Sequence, residues 1–180
     1  MNIPAANLSS IMEENEFEFI NSAIKERLNK DVKELKKLYQ ATVDGFKPET
    51  FHSKCDGIPN TLVLYKSEGN RRFGGFTPSQ WTSSLHGQPF YDKNTFLFSL
   101  DKKCIYPFND NGRAIYCKGE CGPTFGGACD IYVKGKTFYT NEQERIMNSF
   151  DYFGDEFALS ESGNARRRFL TELEVFEVIF

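Results

Sequence analysis

Apolar residues in the first part of the chain recur three and four positions apart. Phe19 or Ile20, Ala23, Ile24, Leu28, Val32 and Leu35 make one stripe over residues 10–36, which predicts helix. The "NKD" at residues 29–31 interrupts good helix formers, and Asp31 stands at capping-box spacing before Glu34, so the stripe reads as one helix or two in succession. Such a stripe can lie on the domain's own core or act as a short coiled-coil tail that self-associates through residues 10–36.

From about residue 37 the period shortens. "ETFHSKCDG" reads as a short helix, with Pro48 suited to its first turn and Gly57 ending it. After it come short apolar or alternating runs: "TLVLYKS", "RRFGGFT", "TFLFSL", "CIYPF", "RAIYC", "CDIYVKG", "KTFYT" and "ELEVFEVIF". Turn signals at Glu68-Gly69-Asn70, Asn109-Asp110-Asn111-Gly112 and Lys134-Gly135-Lys136 separate them, and many short strands at close spacing predict a sandwich or barrel. The closing run sets Leu173 and Val175 against Glu172, Glu174 and Glu177, which predicts a strand with one apolar face and one outward acidic face.

Composition narrows this picture. A chain of 180 residues fits one domain with an appendage: a helical segment or tail over 1–36 and a β domain over 37–180. The 18 phenylalanines and 8 tyrosines suit the inside of a sheet. A net charge of −3 supplies no overall positive field to collect nucleic acid or an anionic bilayer, and the cluster Arg166, Arg167, Arg168 after "SESGN" reads as a solvated turn or a small anion-facing patch. No stretch approaches the ~20 apolar residues of a membrane span, and the N-terminus lacks the basic flank and apolar run of a leader, so a soluble cytoplasmic protein is expected. Five cysteines, Cys55, Cys104, Cys117, Cys121 and Cys129, are an odd number and predict reduced thiols.

Candidate chemistry follows from spacing. A phosphate loop needs its glycines ahead of a helix, yet Gly74-Gly75 and Gly126-Gly127 both sit in strand-like runs, where glycine marks a bulge or the close approach of a bulky neighbour. "CKGEC" places Cys117 and Cys121 about a turn, with no fourth thiol near and His52 and His86 far upstream, so no metal is expected. Helical spacing brings His52 near Cys55 and Asp56, an arrangement open to nucleophilic catalysis or to a plain surface pair.

In their order these pieces resemble the TLDc domain family, through "LYQATVDGF", "FHSKCDGIPNTLVLYKS", "FGGFTPSQW", "DKNTFLFSL", "GPTFGGACDIYV" and "LEVFEV", from about Leu38 to Phe180. The resemblance implies a mainly β, α+β fold: a two-layer antiparallel β-sandwich with peripheral helices. It also implies oxidative-stress protection, a location peripheral to organelle membranes through a partner, and binding to peripheral subunits of the vacuolar-type proton-pumping ATPase, with no catalytic residues and no cofactor. The family pattern falls on Gly45, Gly74, Gly75, Trp81, Asp92, Phe96, Phe98, Gly126, Asp130 and Glu174, mostly as architecture: turn and close-approach glycines, Trp81 as a plug, Asp92 capping a turn. The N-terminal helical segment, "CKGEC" and the arginine cluster fall outside it. A non-enzymatic interaction module is therefore the first reading. Two rivals stay open: a thiol-based redox or hydrolytic enzyme using Cys55 or Cys117 and Cys121, activated by Lys54 or Lys118, and an adaptor that oligomerises through its N-terminal helices.

Overall fold

In the computed structural model, which describes residues 9–127, 130–141, 148–159 and 168–180, the apolar stripe becomes one helix, α1 (Glu14–Leu28). A reciprocal capping box between Glu13 and Glu16 starts it, and Asn29 ends it in the left-handed conformation (φ 53°), returning its N–H to the Lys25 carbonyl. Phe17, Ile20, Ala23 and Ile24 form its buried face and pack on Leu62, Leu64, Phe76, Phe96 and Phe98 of a β-sheet. Most of the stripe is thus used within the chain.

Asp31 and Glu34 do not open a second helix, which corrects that part of the sequence reading: residues 34–40 form strand β1 (Glu34–Gln40). The helix-like spacing has another cause: Val32 and Leu35, three positions apart, both join the cluster under α1 although neither is helical. A bulge between Lys37 and Tyr39 then sends Tyr39 to the cluster on the opposite side.

The chain continues through α2 (Ala41–Asp44), α3 (Pro48–Cys55), β2 (Thr61–Ser67), β3 (Arg72–Thr77), β4 (Gln88–Phe90), β5 (Phe96–Ser99), β6 (Cys104–Pro107), β7 (Ile115–Cys117), β8 (Ile131–Lys134), β9 (Thr137–Thr140) and β10 (Arg168–Ile179). Strands β6, β5, β3, β2 and β10 neighbour one another, all antiparallel. The long β10 takes two further partners, β9 at its start and β1 along its second half. Phe125 bridges Ile115 of β7 and Ile131 of β8, which joins the β4–β7 pair to the β8–β9 hairpin. The outcome is a mainly β, α+β fold: a curled sheet and a smaller one, sharing an aromatic interior. Tyr65, Phe73, Trp81, Phe125 and Phe138 fill that interior, and a second cluster lies between sheet and α1.

Gly74 and Gly75 sit in mid-sheet, with no helix after them. A Cβ on Gly74 would lie 2.2 Å from the Val63 carbonyl oxygen and 2.4 Å from the Phe98 ring; one on Gly75 would lie 2.6 Å from the Phe125 ring. Successive residues of a strand face opposite sides, so the pair admits one phenyl ring on each face.

The acidic face of β10 is the second correction. Glu172 and Glu174 do point away from the inner core, as the alternation requires, but that face is covered by the chain from Ser9 and by β1 and α2, so both are buried, Glu174 completely.

Candidate functional site

Three polar centres hold the described loops onto this frame. At the first, the Glu174 carboxylate accepts from the Ser9 hydroxyl (2.5 Å), the Ser10 N–H (3.0 Å) and the Lys37 ammonium (3.0 Å). Two residues earlier, Glu172 accepts from the Gln40 amide (3.0 Å), the Thr42 N–H (3.1 Å) and hydroxyl, and the Leu173 N–H (2.9 Å). Burial works against ionised Glu172, but the donors from Thr42, Gln40 and Leu173 outweigh it and hold the carboxyl below its ordinary range. This pair ties the N-terminal segment and the β1–α2 corner to β10. Sequence reasoning missed Ser9, Lys37 and Thr42, and no local signal marks them, because the carboxylates they meet lie more than a hundred positions away.

The second centre is a groove of about 350 Å³ lined by Glu49, His52, Ser53, Asp56, Ser83 and Gly119. As the helical spacing predicts, His52 meets Asp56, Nδ1 to Oδ1 at 2.7 Å. Its Nε2 lies 3.0 Å from the Cys121 carbonyl and 3.1 Å from the Lys118 carbonyl. Both ring nitrogens therefore already have oxygen partners within the fold, and the Ser53 hydroxyl donates to the Thr50 carbonyl (2.8 Å) instead of to the imidazole. The arrangement clamps α3 to the "CKGEC" turn. Cys55 turns instead into the inner core, and exposed His86 does not line this groove.

The candidate thiols are buried as well. Burial pushes Cys55 up to about 12 and Cys117 up to about 11, while Lys54 pairs with Asp44 (2.9 Å) and Lys118 with Glu120. Cys121 donates to the Tyr132 hydroxyl at 3.3 Å, and Cys129 lies outside the described residues. No group of three or more potential metal ligands occurs among the described residues. Alkylation of the native protein at neutral pH, read by peptide mass spectrometry, is expected to modify exposed Cys104 at least tenfold faster than Cys55 or Cys117; equal rates would show an accessible inner thiol.

At the third centre lies Asp130, fully buried. It accepts from the Ser149 N–H and the Tyr152 hydroxyl, both at 3.1 Å, and so fixes the segment at 148–152. Gly126 (φ 84°) leaves it room, since a Cβ there would lie 1.8 Å from Asp130 Oδ2. Burial outweighs these donors and pushes the Asp130 carboxyl up from 3.8 to about 7. A folded-state value above the unfolded one gives stability that is complete below about pH 4 and lost as pH rises through about 7. Thermal unfolding temperature should therefore fall between pH 5.5 and 8, and Asp130→Asn should flatten that slope; a slope unchanged in the variant would remove Asp130 as its source.

The remaining signature positions are structural in placement. Trp81 is 1% exposed, donates Nε1–H to Thr61 (2.8 Å) and meets Phe51 and Phe125 edge-on. Asp92 accepts from the Asn94 N–H (2.9 Å) in the turn before β5, where Phe96 and Phe98 face α1. Gly45 (φ 97°) ends α2 and accepts from the Tyr39 hydroxyl (2.7 Å). Of the arginine cluster only Arg168 is described, at the start of β10; Arg166 and Arg167 lie outside the described residues.

No helix among the described residues is long and apolar enough to cross a membrane. A family model described as the TLDc domain matches residues 6–179. The matched region takes in α1, which the motif-based resemblance leaves outside. No curated protein matches the chain.

Proposed function

We propose, from the premise that this chain belongs to the TLDc domain family, that it is a non-enzymatic interaction module. It engages peripheral subunits of the vacuolar-type proton-pumping ATPase and contributes to oxidative-stress resistance in the cytoplasm. The observation that carries the reading is the commitment of reactive groups to the fold. His52 spends both ring nitrogens on a clamp, and Cys55 and Cys117 are buried with raised pKa values, so groups that would serve a hydrolytic or thiol mechanism serve packing instead. The test is direct: the immobilised chain should retain the purified peripheral sector of that ATPase and change its rate of ATP hydrolysis. A folded chain that neither retains the sector nor alters its turnover refutes pump binding.

A further inference from the structure

Among the described residues, six large apolar side chains stand exposed, and three of them belong to two patches of opposite charge. The first patch is the loop "DYFGDEF", residues 151–157. A carboxylate there twice accepts from the N–H two residues on: Asp151 from Phe153 (2.9 Å) and Asp155 from Phe157 (3.0 Å). Asp155 is anchored in turn by Lys102 at 2.5 Å. Phe153 is 71% exposed and sits at φ 52°, a conformation unfavourable for phenylalanine. A phenyl ring held in water by a strained turn serves neither solubility nor turn geometry, and contact is the use left to it.

The second patch is the outer face of the β8–β9 hairpin. Tyr132 and Tyr139, a ring pair 6.2 Å apart, lie with Thr137 and Phe169 along a groove of about 560 Å³ edged by Lys134 and Lys136. It is aromatic inside and cationic at its rim.

We propose that the groove of one molecule receives the Phe153–Phe157 loop of a second copy of this chain. Phenyl rings meet tyrosine rings at the centre, and Asp151 and Glu156 meet Lys134 and Lys136 around them. The carboxylates beside the phenyl rings set the loop against an anionic bilayer as its occupant. Because loop and groove are different surfaces, each contact leaves one of each free, and assembly grows head to tail with concentration. This self-recognition is independent of pump binding.

Sedimentation velocity over a protein-concentration series tests it. The weight-average sedimentation coefficient should rise with concentration and fall with added salt. Phe153→Asn with Phe157→Ser, and separately Lys134→Glu with Lys136→Glu, should each weaken association by about tenfold or more. Asparagine tolerates the left-handed conformation, so the loop variant should melt no lower than the parent, which separates a lost contact from a lost fold. An equimolar mixture of the two variants holds one intact loop and one intact groove per pair, and its assembly should stop at the dimer. A monomer at every concentration, association unaffected by either variant, or growth of the mixture beyond the dimer overturns the proposal.

Discussion

Gly74→Ala is expected to abolish the folded state. The new methyl would meet the Val63 carbonyl oxygen at 2.2 Å, and that oxygen belongs to the neighbouring strand's backbone, so β2 and β3 would have to separate at the centre of the sheet. The expected cost is on the order of 5 kcal/mol or more, comparable with the whole stability of a domain this size. Gly75→Ala should be milder, about 1–3 kcal/mol, because its methyl meets the ends of the Phe125 and Leu97 side chains, which can shift. The two positions also differ in rescue. Phe125→Leu should restore part of the stability of Gly75→Ala, whereas Phe98→Leu should not restore Gly74→Ala, since the carbonyl clash remains. Denaturant unfolding of the four variants measures this, and a Gly74→Ala protein with the parent's midpoint would contradict it.

Lys37→Met ranks second. Glu174 is wholly buried, and among the described residues Lys37, itself partly exposed, is its only cationic partner in an ion pair. Removing the ammonium leaves a buried carboxylate with only Ser9 and Ser10 as donors among the described residues, at a cost of roughly 3–5 kcal/mol. Glu174→Gln should cost less, since the amide oxygen still accepts hydrogen bonds and no buried charge is stranded. The double variant Lys37→Met, Glu174→Leu should recover much of the loss, and strictly additive losses in that thermodynamic cycle would show that the two groups do not act as a pair.

The contrast between these sites shows what the sequence can disclose. Runs such as "TLVLYKS" and "TFLFSL" announce strands because burial on both faces demands near-continuous apolar residues, and β2 and β5 are indeed buried along nearly their whole length. The meaning of "FGGF" was legible for the same reason: glycines inside an apolar run ask what occupies the space. β1 was not legible, because Val32 and Leu35 continue the three-and-four spacing of the helix face and pack under α1 with it, although neither is helical. Nor was the burial of Glu172 and Glu174. Alternation gives the direction of a side chain but not what covers it, and the cover here comes from Ser9, Lys37 and Thr42, each more than a hundred positions away along the chain. At the candidate site, the i,i+4 meeting of His52 with Asp56 is local and followed from helix geometry. The carbonyls of Lys118 and Cys121 that occupy its other nitrogen come from a distant turn, and they decide that the pair is a clamp.

Strand β10 has a kinetic consequence. It is flanked by β2 on one side and by β1 and β9 on the other, and its carboxylate at Glu174 closes on Ser9 across 165 positions. Contacts so remote in the chain place the fold among topologies that form slowly. During synthesis β1 and β2 leave the ribosome well before the strand they flank, so until residues 168–179 emerge the Phe-rich sheet lacks a central member. For that interval the nascent polypeptide presents unpaired edges and bare rings, the condition in which chaperones find their clients.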